Sequence, residues 1–239
     1  MTFFSNFGKY STIGVSGASG DPFFSYVDVL LHMEGTDDAT SFTDSSSNGR
    51  TITKAGNAHV DHGRTKFGLS AMLLDGTGDY LQYTPGASFG TGDFCIEAWV
   101  YQTNHSGLQA LFSGYNYNAA GTWRLYTWTD STLRWYAPAS GGTSVGHRFT
   151  GSSDAPLNTW YHIAIATASS TATMYLNGTS IGSGSVGNHS TGTPITIGAA
   201  TGTWSGYGVV GSMDEVRITR GHARYTGNFT APTTAFPDA

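Results

Sequence analysis

The chain has 239 residues, enough for one large domain with a sizeable core. Only 11% of the residues are charged, the formal net charge is -5, and the 11 Lys and Arg residues are spread thinly. This scarcity of basic residues argues against binding to nucleic-acid phosphates, and no apolar run approaches the roughly 18 residues of a membrane-spanning helix. The single cysteine, Cys95, excludes an intramolecular disulfide and a cysteine-based zinc site.

Residues 1–26 form an aromatic arm around a Gly/Ser stretch at residues 14–20. Such a segment cannot build a core of its own. Either it docks on the domain or it ties the domain to another subunit. Its first ten residues lack the basic start and the apolar centre of a signal peptide, so we expect synthesis in the host cytoplasm. A protein that functions outside the cell would then be released by lysis or as part of a particle.

From Val27 onward, short apolar stretches alternate with turn-forming residues. The predicted strands cover residues 27–33, 70–75, 79–83, 94–101, 110–113, 123–129, 132–137, 160–166, 172–176, 195–197 and 213–218. Asp130-Ser131 is predicted to close a hairpin, and Asn177-Gly178 is a strong tight-turn signal. This spacing, with almost no helical periodicity, predicts an all-β fold in one domain: a two-sheet antiparallel β-sandwich of the jelly-roll type.

Five sequence blocks occur in a fixed order: LDGTGDYL (74–81), FCIEAWV (94–100), WYHIA (160–164), MYLNG (174–178) and GSMDEVRI (211–218). They resemble the successive blocks of the laminin-G-like, concanavalin-A-like family, and the resemblance covers residues 27–220. It implies a jelly roll that binds sugars or proteins, since only some branches are glycosidases. Residues 221–239 would be a C-terminal extension that packs on the sandwich. Within it, ARYTGNFT (223–230) resembles the ending found in phage and bacterial surface proteins.

Glycoside hydrolysis requires a pair of carboxylates that face the same side. The chain has three glutamates, Glu34, Glu97 and Glu215, and the Glu-x-Asp-x-Glu signature of the family's glucanases is absent. Because successive strand residues point to opposite faces, we expect the neighbours Asp214 and Glu215 to face opposite sides. The sequence therefore predicts a protein without enzymatic activity, and a glycoside hydrolase is the least favoured alternative.

The hairpin around Asp130 is the best candidate for a binding surface. If Trp123 and Leu125 face the core, the alternate residues face the other side. The predicted ligand-binding residues are the arginines and aromatic residues of that side, with two tyrosines of a rim loop: Arg124, Tyr126, Trp128, Arg134, Tyr136, Tyr115 and Tyr117. On an exposed strand face this composition suits stacking on sugar rings or anchoring a protein partner. The inverse assignment, with Tyr126 and Trp128 buried between the sheets, stays open.

Asp37, Asp38 and Asp44 share one turn-rich loop and are candidate ligands for a structural calcium ion. The family often holds one such ion at the rim of the sandwich. Their spacing is not diagnostic, and the alternative is that the carboxylates cap turns through hydrogen bonds. No other cofactor is expected.

Two classes of function follow. The first is a non-enzymatic virion protein, such as a capsid decoration, head-fibre or tail-associated adhesin, that displays a surface for host glycans or neighbouring virion proteins. Residues 1–26 would attach it to those proteins, and its strands of low charge permit a homo-oligomer. The alternative is a bacterial carbohydrate-binding lectin module. In either case Trp99 and Trp160 match family block positions and are expected in the core.

Overall fold

Residues 20–114, 122–137, 147–186, 194–200 and 207–239 are described in the computed structural model. They contain one 3₁₀ turn, Phe24–Tyr26, and no helix among them is long and apolar enough to cross a membrane. The strands, in chain order, are β1 (Val27–Leu31), β2 (Thr53–Ala55), β3 (His59–Asp61), β4 (Ala71–Asp75), β5 (Tyr80–Tyr83), β6 (Phe94–Gln102), β7 (Gln109–Gly114), β8 (Trp123–Thr127), β9 (Thr132–Tyr136), β10 (His147–Asp154), β11 (Tyr161–Ala168), β12 (Thr171–Leu176), β13 (Thr179–Ser185), β14 (Ile195–Ile197) and β15 (Val210–Arg220).

These strands form two antiparallel sheets that pack face to face, so the predicted all-β sandwich is confirmed. The first sheet has the order β13-β12-β11-β6-β15-β4-β3, and β1 also pairs with β15. The second sheet has the order β10-β9-β8-β7-β14-β5-β2. Strand β15 is central because β6 pairs with one edge of it, while β4 and then β1 pair with the other.

The core lies between the two sheets and follows strand alternation. On β6, Ile96, Ala98 and Val100 point into it, while Glu97 and Trp99 occupy the outer face of the first sheet. The second sheet contributes large side chains, among them Trp123, Leu125, Leu133 and Trp135. Each fully buried side chain of this size stabilises the fold by roughly 1.5–3 kcal/mol.

A β-bulge interrupts this alternation in β15. Asp214 lies opposite Trp99 and Arg217 lies opposite Glu97, so two residues of β15 face one residue of β6. Glu215 takes the positive φ of 50° that the extra residue requires. Met213 and Val216, on either side, both point into the core.

The carboxylates of Asp214 and Glu215 therefore lie on the same outer face of the first sheet. Asp214 accepts backbone N–H groups of residues 66 and 67, and Glu215 accepts the backbone N–H of Phe236 at 2.7 Å. The prediction that the two carboxylates point to opposite faces is wrong, because the bulge inserts a residue at this point of the strand.

The C-terminal strap, residues 221–239, crosses this outer face. The rings of Tyr225 and Phe229 stack at 3.5 Å between centroids, and both contact the ring of Tyr175 on β12. Farther along, Phe236 is buried against Val27 and Leu30 of β1. The strap thus covers the charged residues of the outer face.

Part of the predicted N-terminal arm lies against the strap. Phe23 stacks on His222 with 3.9 Å between ring centroids, and the carboxylate of Asp21 accepts hydrogen bonds from Arg224. Residues 20–26 are thus docked on the domain, and residues 1–19 of the arm lie outside the described residues.

Candidate functional site

The predicted binding hairpin is present, formed by β8 and β9, but most of its outer face is covered. Arg124, Tyr126 and Tyr136 lie opposite the core residues, as alternation requires, yet they are only 6%, 5% and 8% exposed. The two tyrosines pack in a cluster with Leu108, Ala110, Ala200 and Tyr207. The expectation that these three residues form an exposed surface is wrong, because segments distant in sequence cover them.

Only the end of the hairpin reaches solvent. Trp128 is 37% exposed, and the Arg134 guanidinium lies 5.0 Å from the centre of its ring. Arg134 is also paired with Asp130 at 2.7 Å. The predicted residues Tyr115 and Tyr117 lie outside the described residues. What remains of the predicted surface is a small patch around one tryptophan.

The three candidate calcium ligands are not brought together. Asp44 accepts backbone N–H groups of Leu30, Ser46 and Arg50, which uses both of its carboxylate oxygens. Asp37 accepts the N–H of residue 62, and Asp38 is exposed. The described part of the chain contains no group of three His, Cys, Asp or Glu residues that could hold a metal ion. The geometry gives the calcium prediction no support.

The carboxylates on the outer face of the first sheet are buried and bonded. Glu97 is fully buried, and its oxygens meet the Arg217 guanidinium at 2.9 Å and the Tyr225 hydroxyl at 2.8 Å. Burial alone would raise the pKa of Glu97, but the charge of Arg217 and the hydrogen bond of His162 outweigh it and hold that pKa at about 2. A carboxylate in this environment is an ion-pair partner rather than a proton donor.

The other acidic candidates also serve as acceptors within the fold. Glu215 lies 2.8 Å from the ring of His32, and Glu34 accepts the N–H of Leu69. Burial raises the pKa of Asp214 to about 7, although the N–H groups of Phe67 and Lys66 oppose that rise. The bulge brings Asp214 and Glu215 to one face, but both are at most 2% exposed and no substrate can reach them as a pair.

An open groove of about 560 Å³ lies on the same outer face, beside the strap. The two tryptophans of its lining are Trp99 and Trp160, and its remaining lining residues are Lys66, Phe67, Asn177, Thr230, Ala231, Pro232 and Thr233. One wall therefore comes from the strap and the opposite wall from the loop before β4. Aromatic rings beside polar side chains such as Asn177 and Thr230 make this groove a candidate ligand site.

Strand geometry places both tryptophans there. Trp99 is on the outer side of β6, and Trp160 directly precedes β11, whose first residue pairs with Val100. The ring of Trp160 meets the ring of Tyr101 edge-on at 5.7 Å. Trp99 is buried as expected, at 6% exposure, although it lies outside the cluster between the sheets. The expectation that Trp160 is a core residue is wrong, because Trp160 is only partly buried. The available signal was alternation, because Trp99 shares its side of β6 with the charged Glu97.

Two cations lie over the aromatic rings at this site. The Lys66 ammonium is 3.9 Å from the centre of the Trp99 ring, and the Arg64 guanidinium is 4.2 Å from the centre of the Tyr101 ring. Asp214 fixes the loop that carries them by accepting the backbone N–H groups of Lys66 and Phe67. Cation-π contacts of this kind stabilise each arrangement by about 0.5–1 kcal/mol at exposed sites.

One polar atom of the groove lining has no partner. The indole N–H of Trp99 is buried and makes no hydrogen bond to any described residue. The Nδ1 atom of His162 and the Nε atom of Arg220 are also buried without a described partner, so the Trp99 N–H does not by itself mark a ligand site.

The sequence blocks, the sheet order and the position of the site agree with one family. A family model described as the concanavalin A-like lectin/glucanases superfamily matches residues 75–223. The chain belongs to this superfamily. The match spans more than half of the protein, from the end of β4 to the start of the strap. A comparison with curated proteins finds no match.

Solved structures of the superfamily fold include several binding domains. The botulinum neurotoxin serotype D binding domain matches with a TM-score of 0.62 and 11% identity over 84% of this chain. The chain spans about half the length of that domain, since 49% of it is covered. Domain 4 of AbnA, a GH43 extracellular arabinanase from Geobacillus stearothermophilus, was solved in complex with arabinotriose. It matches with a TM-score of 0.53 and 18% identity over 82% of this chain and 93% of that one. Identities this low show the fold alone.

Proposed function

We propose that the protein is a non-enzymatic carbohydrate-binding module that holds a sugar chain in the groove beside the strap. The observation that carries this proposal is an open groove that is lined by two tryptophans, Trp99 and Trp160, beside polar residues such as Asn177 and Thr230. The rim indole of Trp160 offers a flat apolar surface for the face of a sugar ring.

Two further observations support a binding role. The buried carboxylates Glu97, Asp214 and Glu215 are engaged in the fold, which leaves no reachable acid and base pair among them. The AbnA domain of the same fold was solved with arabinotriose, and a related toxin binding domain was solved in complex with SialylT. These neighbours suggest the ligand class, and the groove suggests the place.

The test compares two tryptophans that are not fully buried: Trp160 in the groove, which is partly buried, and Trp128 on the hairpin, which is 37% exposed. Trp160→Ala removes the rim indole and is expected to weaken binding on a glycan array by about tenfold or more, equivalent to ~1.4 kcal/mol. Trp128→Ala is the matched control and is expected to retain binding. If Trp128→Ala loses binding and Trp160→Ala keeps it, the site is the hairpin predicted from the sequence, and the groove proposal is wrong.

The setting on a phage particle is a finer proposal that rests on the sequence. It is supported by the phage-like ending of the chain and by the aromatic arm. Because residues 20–26 are docked on the domain, the attachment role would belong to residues 1–19. A truncation should therefore remove residues 1–19 and keep Asp21, which pairs with Arg217 and Arg224. We expect the truncated protein to fold and to bind sugar but to be lost from particles. Incorporation at the normal level would contradict the attachment role.

A further inference from the structure

The cations beside the groove differ from most of the other lysines and arginines whose side chains the structure describes. Five arginines are paired with buried or exposed carboxylates: Arg50, Arg134, Arg217, Arg220 and Arg224. Lys66 and Arg64 instead lie over the rings of Trp99 and Tyr101, and no described carboxylate forms an ion pair with either. In a protein of net charge -5, two unpaired cations on one loop form a local positive site.

The acidic residue bonded to this loop does not neutralise them. Asp214 is buried below the loop, and its carboxylate accepts the backbone N–H groups of Lys66 and Phe67. It accepts the N–H of Glu215 as well. Its role is to hold the loop in place. The Arg64 guanidinium donates a hydrogen bond of 3.3 Å to the neutral Ser212 hydroxyl, which leaves the positive charges of Lys66 and Arg64 available to a ligand.

From this arrangement we infer that the groove selects an acidic oligosaccharide, one that carries a carboxylate on a sugar ring. The inference rests on the proposed sugar-binding function. The ring of one residue would stack on Trp160, and the carboxylate would pair with the Lys66 ammonium, with Arg64 as the second cation. A lysine suits this role because its ammonium is a mobile point charge that can leave the Trp99 ring and uncover it.

The shape and charge of the site favour a sugar acid over a polyphosphate. Two cations suit one or two carboxylates, whereas nucleic-acid affinity comes from many phosphate contacts made together. The neighbouring surface supplies rings and amide or hydroxyl groups, such as Asn177 and Thr230, rather than further positive charge.

The experiment uses an array of glycans in matched acidic and neutral pairs: sialyllactose with lactose, and tetragalacturonate with its methyl ester. The full chain is expected to bind at least one acidic member about tenfold more tightly than its neutral partner. Lys66→Gln combined with Arg64→Gln should abolish that preference. Lys54→Gln, a lysine of β2 in the second sheet, is the matched control and should leave it unchanged. The preference should also shrink as salt rises from about 0.05 M to about 0.5 M.

The outcomes separate the inference from the proposed function. In one outcome the protein binds the neutral glycans, Trp160→Ala removes that binding, and the Lys66 and Arg64 replacements do not affect it. That outcome would overturn the preference for acidic glycans but keep the sugar site. Absence of binding to every pair would overturn both. Equal binding of an acidic glycan and a DNA oligonucleotide, lost together in the double variant, would show a general anion site and contradict the sugar acid. Thermal unfolding of each variant verifies that the fold is intact.

Discussion

Arg217 of β15 pairs with Glu97 of β6, and the pair is almost completely enclosed between the first sheet and the strap. Arg217 also meets Asp21 at 3.2 Å, and its guanidinium lies over the ring of Phe236. The ion pair therefore joins the sheet to both ends of the described chain. A buried charge that loses its partner is costly, whereas an apolar replacement of both partners is much less so.

The first prediction is that Glu97→Gln lowers the free energy of unfolding by about 3 kcal/mol, because Arg217 loses the nearer of its two buried carboxylates and keeps only Asp21 at 3.2 Å. The double variant Glu97→Gln, Arg217→Met should lose less than the sum of the two single variants. Chemical denaturation of the four proteins measures this coupling. Strict additivity would show that the two side chains do not stabilise each other.

The same ion pair makes stability depend on pH. Because the folded pKa of Glu97 is about 2 and its ordinary value is 4.5, the contribution of the ionised Glu97 to stability is present above pH 4.5 and is lost as the pH falls toward 2.

The second prediction concerns His32, which lies between Glu215 and Asp238 at 2.8 and 2.7 Å. The hydrogen bond to Glu215 is the largest influence on the pKa of His32 and raises it, whereas burial lowers it. Together with Asp238, Glu215 raises this pKa to about 9. A raised pKa stabilises the fold fully below the ordinary value of 6.5, and that contribution disappears as the pH rises through 9. We expect a loss of about 1–2 kcal/mol across this range, reduced by solvent at the exposed Asp238.

His32→Gln provides the control for this pH dependence. It should be less stable than the wild type at pH 6 and nearly equal to it at pH 10, measured by thermal or chemical unfolding in the same buffers. If the difference between the two proteins is the same at both pH values, the ion pairs of His32 do not hold the end of the strap. Asp238→Asn should remove a smaller part of the effect, since Asp238 is mostly exposed.

The third prediction tests the contact between the strap and the β12–β13 turn. Asn177 and Gly178 have φ values of 49° and 81°, and Gly178 accepts the N–H of Phe229 at 2.9 Å. A Cβ at Gly178 would collide with the Phe229 carbonyl oxygen, so Gly178→Ala should cost about 1–3 kcal/mol. Gly227→Ala, in the same strap, meets no atom within 4 Å and should change stability by less than about 0.5 kcal/mol. Equal effects of the two variants would contradict a close strap–turn contact.

The sequence predicts the central strands well and the sheet edges poorly. The four strands that the sequence does not predict, β2, β3, β10 and β13, are the terminal strands of the two sheet orders. Their sequences are polar or rich in Gly and Ser, as in TSIGSGS of β13 and HRFTGSSD of β10. An edge strand has one partner and need not bury both faces, so neither alternation nor β-propensity marks it clearly.

The same physical limit applies to the candidate site. Alternation gives the correct side of the sheet for Tyr126 and for Trp99, because that depends only on neighbouring residues. It gives the wrong side for Glu215, because a bulge depends on the partner strand. Exposure depends on distant segments: the strap and the loop around Lys66 shape the groove, and residues near 108, 200 and 207 cover the hairpin. No local pattern in the sequence contains that information.

The last prediction separates the two aromatic residues of the hairpin that the sequence treats alike. Tyr126 is 5% exposed within a packed cluster, so Tyr126→Ala should lower the free energy of unfolding by about 3–5 kcal/mol. Trp128 is 37% exposed and contacts Tyr126 only edge-on at 6.3 Å, so Trp128→Ala should cost less than about 1 kcal/mol. Chemical denaturation of the two variants checks this difference. A small effect of Tyr126→Ala would mean that the cover over the hairpin opens easily, and the predicted surface of Arg124, Tyr126 and Tyr136 would then be accessible to a ligand.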